Sequence, residues 1–165
     1  MTSPSLTASK NASSLESLLR PTHFVSELRS KKKSQALEEL AVALAAAGVT
    51  RSPELLAELL REREALGSTG VGKGIAVPHA RSTLVAERSV VVARSTKGIE
   101  FDAVDGEPVH LLFLVVAPPM ERDPIYLKVL ADVVRAVRLS RTRQKLMDAP
   151  DFDTVREILN HAAAE

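Results

Sequence analysis

The stretch "GSTGVGKGIAVPHAR", Gly67 to Arg81, decides how this chain is read, because it joins a glycine run to a short apolar segment that stops at a proline and a histidine. Its first half comes within one residue of a phosphate-binding P-loop. The residue after Lys73 should carry a hydroxyl to hold magnesium, and here it is Gly74. A P-loop also follows a strand and opens a helix whose N-terminus cradles phosphate. This loop instead follows a helical pattern and enters "IAVPH", where Pro78 argues against an early helix. A dinucleotide fingerprint fails on the same context and lacks its third glycine.

Upstream, "KSQALEELAVALAAA" from Lys33 to Ala47 spaces Ala36, Leu37, Leu40, Ala41, Leu44 and Ala47 as one helix face, with Ser34 as the expected cap and Gly48 as the stop. "SPELLAELLRERE" predicts a second helix, capped by Ser52, with Pro53 in its first turn and Gly67 at its end. Downstream the period changes. Ile75 to Val77, Ser89 to Ala93 and Val109 to Ala117 are β-branched or continuously apolar runs that predict strands, the last buried on both faces. Asp105-Gly106 marks a tight reversal between them. "HFVSEL", His23 to Leu28, predicts a first strand that would make the sheet mixed.

After Pro118-Pro119 the helical period returns, with Leu127, Leu130, Val133, Val134 and Val137 expected on one face, and "RTRQKLMD" and "DFDTVREILNH" as shorter helical segments. Helices, strands, then helices describe a layered α/β domain. The chain has 165 residues, 45% of them apolar, which suits one core. Residues 1–14, rich in Ser, Thr and Ala, are expected to be a mobile tail without the look of a secretory signal. Residues 15–160 form the expected domain, and 161–165 a short C-terminal tail.

Twenty-two Lys and Arg against 21 Asp and Glu give a net charge of +1, short of the strongly basic balance of a nucleic-acid binder. "RAVRLSRTRQK", Arg135 to Lys145, is denser in cations and could meet an acidic partner or nucleic acid, but a solvated helix face with favourable placement at a helix C-terminus explains it more cheaply. No nucleic-acid partner is expected. The absence of cysteine excludes disulfides and thiolate sites and suits a reducing cytoplasm. Membrane insertion is not expected, since the longest apolar run, Leu111 to Ala117, falls far short of the about 20 residues a spanning helix needs. The four histidines, His23, His79, His110 and His161, are too dispersed to form a metal site, and no metal or cofactor is expected.

His79 carries the chemistry if anything does. Neutral imidazole offers a nitrogen lone pair, and a backbone carbonyl on its other nitrogen would fix the tautomer. Amides of Gly70, Gly72 and Gly74, with the hydroxyls of Ser68 and Thr69, would surround an anion; turn or capping roles for the two hydroxyls are equally open. The competing reading is a flexible turn beside a surface histidine.

Glu64, Val71, Gly72, Ile75, Ala76, Val77, Pro78, His79 and Ala80 satisfy a nine-position signature. It runs as an acidic or amide residue, six residues, aliphatic, small, two residues, then aliphatic, alanine, aliphatic, proline, histidine, small. In this the chain resembles the enzyme IIA components of the phosphoenolpyruvate-dependent phosphotransferase system, in the fructose/mannitol class that includes the nitrogen-regulatory branch. "KSQALEELAVALAAAGV", "LLREREALGSTG" and "GIEFDAVDGEPVHLLFLVVAP" extend the likeness over roughly Leu15 to Asn160.

The resemblance implies a three-layer α/β/α domain with a small mixed sheet, and His79 as the acceptor of a phosphoryl group from an HPr-like phosphocarrier. The activity implied is that of a phosphotransferase component with a phosphohistidine intermediate, turning over only within a relay. Downstream, the partner implied is a IIB protein in a sugar-uptake route, or a regulated target in a nitrogen-type route. The lack of a IIB-like cysteine or a membrane domain in this chain leans towards the regulator.

By the same resemblance Arg63 is the active-site arginine, against the alternative of a solvated helix-end charge. Where many relatives place a second histidine, this chain has Tyr126, which can hydrogen-bond but cannot share a proton near neutral pH. That departure motivates the contrasting reading, a docking regulator that no longer transfers phosphate.

Overall fold

The computed structural model describes residues 14–120 and 122–164. At its centre β5 (Ser89–Ile99) and β6 (Val109–Ala117) pair antiparallel from Ser89 opposite Val116 to Arg94 opposite Leu111. The sheet runs β1-β5-β6-β3-β2, with β1 (Phe24–Val25), β2 (Gly70–Gly72) and β3 (Ile75–Ala76); β4 (His79–Arg81) pairs with β6 off this path. β1 lies parallel to β5, and β3 and β4 parallel to β6, so the sheet is mixed.

Because successive strand residues point to opposite faces, the apolar runs of β5 and β6 supply two cores at once. Val91, Ala93, Leu112, Leu114 and Val116 pack with Leu37, Leu40 and Leu44 of α1 (Lys33–Ala46) and Leu56 and Leu60 of α2 (Pro53–Ala65). Val90, Val92, Leu111, Phe113 and Val115 pack on the other side, against α3 (Pro124–Ala136), α4 (Ser140–Asp148) and α5 (Phe152–Ala164). The result is an α/β/α sandwich. Each fully buried Leu or Phe stabilises it by roughly 1.5–3 kcal/mol.

Several sequence expectations shift in detail. The helix expected to be capped by Ser34 starts at Lys33, whose N–H donates to Glu100 O at 3.0 Å, so a bridge between Lys32 and Glu100 replaces a side-chain cap. β1 is shorter than His23 to Leu28, since His23 closes a 3-10 turn. β5 is longer than Ser89 to Ala93: pairing with β6 carries the polar residues after Arg94 into the strand, across a register shift before Ile99. In α3 the buried residues are Tyr126, Val129, Asp132, Val133 and Ala136, while Leu127 (65%) and Val134 (58%) stay exposed. Of the residues read as one face, Val133 and Val137 are buried and Leu130 is partly buried, while the stripe is rotated so that Tyr126 and Val129 go in and Leu127 and Val134 stay out. Residues 1–13 of the expected tail lie outside the described residues, and 161–164 continue α5, with Ala163 buried, rather than forming a tail.

His23 is buried with neither ring nitrogen hydrogen-bonded among the described residues. Burial and the nearby Arg20 cation hold its pKa below the ordinary histidine value, against the opposite pull of Glu87. The unfolded chain therefore takes up a proton that the folded one resists. Folding stability is expected to fall as the pH drops through about 6.5. Urea unfolding at a series of pH values should show that limb, and His23→Phe should flatten it; a superimposable profile for the variant would assign the pH dependence to other groups.

Candidate functional site

Ile75 to Arg81 runs along one edge of β6 with a break at Val77-Pro78. Before the break Ile75 and Ala76 pair with Leu111 and Leu112; after it His79, Ala80 and Arg81 pair with Val115, Val116 and Ala117. Pro78 has no N–H to give, and at the break its carbonyl accepts from Val115 N at 3.0 Å. β2 covers β3 only, so β4 lies at the edge of the sheet. His79 sits there, half-buried, at the start of β4.

The His79 ring places Nδ1 2.8 Å from Val77 O. A carbonyl oxygen only accepts, so Nδ1 carries the hydrogen, and in the neutral ring the lone pair is then on Nε2. Ala80 is small and turns to the opposite face, whereas Arg81, two residues on, shares the face of His79.

Four further side chains, Tyr126, Arg63, Asp123 and Arg88, form a connected group with Arg81 of β4. The Arg81 guanidinium lies 5.3 Å from the centroid of the Tyr126 ring and donates to Met120 O at 3.3 Å. Arg63, in the last turn of α2, donates to Gly67 O at 3.2 Å, and its charge acts on the Tyr126 phenol together with that of Arg81. Asp123 accepts from Tyr126 N at 3.1 Å as the cap of α3 and is paired with Arg88 at 2.9 Å. Burial opposes that carboxylate; the Arg88 and Tyr126 hydrogen bonds and the charges of Arg88 and Arg81 outweigh it and hold its pKa below the ordinary aspartate value. Arg81, Arg88 and Asp123 were not singled out from sequence. Arg81 alone offered a signal there, its place two residues after the histidine in a strand.

The glycine and hydroxyl set does not form the anion cradle expected from sequence. Ser68 Oγ donates to Phe101 O at 3.1 Å and accepts from Gly70 N at 3.0 Å, so the Gly70 amide is already used. Thr69 is buried, with N–H and hydroxyl both on the Glu64 carboxylate. Gly70 instead serves close packing, since a Cβ there would meet Ala103 Cα at 2.8 Å. Gly72 and Gly74 have φ of 98° and 79° in the β2–β3 turn, where Gly74 O accepts from His110 N and Leu111 N. Leu111 lies four residues before Val115, the partner of His79. At ~3.3 Å per residue, roughly 13 Å separate that turn from the histidine. The structure thus sets Tyr126 against Arg81 of the His79 strand, with the Arg63 charge acting on its phenol, and leaves Gly72 and Gly74 farther along the β6 edge.

The remaining candidates are structural in place. His110 Nδ1 bonds Ser95 O at 2.9 Å. Arg143 donates to Val137 O at 2.8 Å and Arg138 O at 3.0 Å, closing the C-terminus of α3, and Arg135 donates to Ala163 O at 3.3 Å. The basic stretch is thus spent in part on helix ends. Among the described residues no cluster of His, Cys, Asp or Glu fits a metal ion, and no helix is long and apolar enough to cross a membrane.

Residues 17–162 match the family described as "Phosphoenolpyruvate-dependent sugar phosphotransferase system, EIIA 2". The chain is 35% identical over 127 residues to the PTS system fructose-specific EIIA component of Haloferax volcanii, covering 77% of this chain and 82% of that protein. It is 34% identical over 142 residues to the nitrogen regulatory protein of Bradyrhizobium diazoefficiens, covering 86% and 92%. The PTS system fructose-specific EIIABC component of Bacillus subtilis is 29% identical over 133 residues, and there the chain spans only 21% of the relative's length. In structure it is similar to the nitrogen regulatory protein IIA-Ntr of Neisseria meningitidis, with a TM-score of 0.80, 31% identity, and coverage of 87% and 97%.

Burial pushes the Tyr126 phenol up to about 12, against the Arg81 and Arg63 cations and with help from Asp123. It is the chain's one tyrosine, and there is no tryptophan, so phenolate absorbance reports on it alone. The folded chain should ionise near 12, and denaturant should return the transition to about 10. Because the folded state holds its proton longer, stability should fall as the pH rises from about 10. A folded-state transition at the ordinary tyrosine value would contradict the burial.

Proposed function

This chain belongs to the phosphoenolpyruvate-dependent sugar phosphotransferase system EIIA 2 family, and we propose that it is a phosphoryl relay whose acceptor atom is Nε2 of His79. The observation that carries the reading is the 2.8 Å contact between Nδ1 and Val77 O, which leaves the other ring nitrogen free at a sheet edge. The donor is a histidine-phosphorylated carrier of the HPr type. The Nε2 lone pair attacks phosphorus, the N–P bond of the carrier breaks, and its electron pair returns to the carrier's imidazole. Nδ1 keeps its proton throughout. As the Nε2–P bond forms, positive charge develops on the ring, and the Val77 carbonyl stabilises the Nδ1–H that bears part of it.

Phosphoryl transfer asks for an aligned nucleophile and for neutralisation of the equatorial oxygens. Arg63 and Arg81 supply the cations in this reading, with the neutral Tyr126 phenol as a hydrogen-bonding neighbour. Ser68, Thr69 and Gly70 shape the loop behind the histidine and do not touch phosphate. The carrier docks on apolar surface: Val71, Val77, Leu130 and Val134 line one depression, and Val77 also holds the ring.

Downstream, the role proposed is that of a nitrogen-type regulator in the cytoplasm, read by target proteins according to its phosphorylation state. Relatives so named align over 86% to 93% of this chain in three instances. A fructose-type route, passing phosphate to a IIB protein, uses the same site and is the second reading, supported by the fructose-specific relative.

Incubation with a phosphorylated HPr-type carrier should add the mass of one acid-labile phosphoryl group, and His79→Ala should abolish the gain. Arg63→Met and Arg81→Met should each slow acceptance by about tenfold or more. If the wild-type chain gains no mass from any cognate carrier, the relay is wrong and docking alone remains. Onward transfer to a fructose IIB protein would favour sugar uptake over regulation.

A further inference from the structure

Among the described residues, Glu64 is a buried carboxylate that the transfer chemistry does not use. Its side chain is 4% exposed, in the last turn of α2, with Lys33 Nζ at 3.2 Å. Lys33 opens α1 and lies 5.0 Å above the Phe101 ring. A carboxylate is costly to bury unless it is paired and hydrogen-bonded. Here Lys33 provides the charge, and Thr69 provides the hydrogen bonds: its N–H donates to the two carboxylate oxygens at 3.0 and 3.2 Å, and its hydroxyl donates to Oε1.

Two more links lead from Thr69 to the histidine. Thr69 O accepts from Val77 N at 3.0 Å, and Val77 O accepts from His79 Nδ1 at 2.8 Å. The placement of Val77 matters because it belongs to neither β3 nor β4. Between the two strands the segment is anchored by the Thr69 carbonyl on one side and by Val115 N on Pro78 O on the other. Val77 N–H and Val77 O lie in successive peptide units joined at the Val77 Cα, so loosening Thr69 releases the first unit and lets the Val77 dihedrals change, and with them the direction of the carbonyl that selects the tautomer.

We propose that Glu64 is the positioning residue for His79, fixing through Thr69 and Val77 the tautomer and orientation that leave Nε2 unprotonated and pointed outward. This rests on the reading of His79 as acceptor. It requires hydrogen-bond acceptors at residue 64 more than charge, and a glutamine at that place keeps an oxygen in reach of the Thr69 N–H.

The test is the proton distribution on the His79 ring, read from nitrogen–hydrogen couplings in 15N-labelled full-length protein without any donor. Wild type should show the Nδ1–H form. Glu64→Ala should mix in the Nε2–H form and slow acceptance from a phosphorylated carrier on the order of tenfold; Glu64→Gln should restore both, while lowering the unfolding midpoint because Lys33 is left with only the longer, exposed pair to Asp102 at 3.8 Å. If Glu64→Ala folds, melts earlier and yet keeps the wild-type tautomer and rate, Glu64 only supports the fold and the proposal is overturned.

Should Glu64→Ala fail to fold, Thr69→Val removes the hydroxyl link alone. A shift towards the Nε2–H form supports the chain of contacts, and an unchanged ring in the folded variant refutes it. The two readings fail separately, because a wild-type chain that accepts no phosphoryl group rejects the relay while the coupling pattern still decides the role of Glu64.

Discussion

The functional reading depends on one hydrogen bond, from His79 Nδ1 to Val77 O. Imidazole exchanges its proton freely between two nitrogens in water, and a nucleophile whose reactive atom is protonated part of the time is a slower one. A carbonyl two residues back in the chain removes the choice. That carbonyl is available because Val77-Pro78 leaves the ladder: Val77 is in no strand, its oxygen takes no β6 amide, and Pro78 has no N–H to compete. The proline therefore makes the break, and the break makes the acceptor.

The sheet explains why such a break is tolerated. β5 and β6 carry both cores through long runs with every face buried, so β3 and β4 add short stretches to an already rigid edge. Two ladder positions lost at Val77-Pro78 are made good by Thr69 O and Val115 N. Rigid central strands and a short interrupted edge divide the labour: packing free energy sits in the middle, and His79 sits where no further strand follows.

The sequence made the sandwich legible where periodicity was unambiguous. Val109 to Ala117 is apolar throughout except for His110, and the structure has that strand with the same bounds. α3 was legible in part: Val133 and Val137 are buried as one face, and only packing decides that Tyr126 goes in and Leu127 stays out. His79 was legible from its neighbours, since a proline before it and a strand leading into it limit where it can lie. The glycine cradle was not, because glycines permit an anion nest and a tight turn equally well. Ser68 and Thr69 were taken up by Phe101 and Glu64, contacts over 33 and five residues of which the longer leaves no trace in local pattern. Glu64 did leave one, as the first position of the signature, without disclosing what it holds.

The cations near Tyr126 complete the electrostatics. A phosphoryl group brings negative charge to a site whose own carboxylate, Asp123, is already neutralised by Arg88 and by the α3 N-terminus. Arg81 and Arg63 both act on the Tyr126 phenol, and neither carries a carboxylate partner among the ion pairs of the described residues. Arg81 is tied to a ring face and a backbone carbonyl, Arg63 to a carbonyl alone. Such contacts orient a guanidinium without cancelling its charge. Held this way, the two guanidinium charges stay uncancelled, and the buried neutral phenol on which both act adds no negative charge beside them.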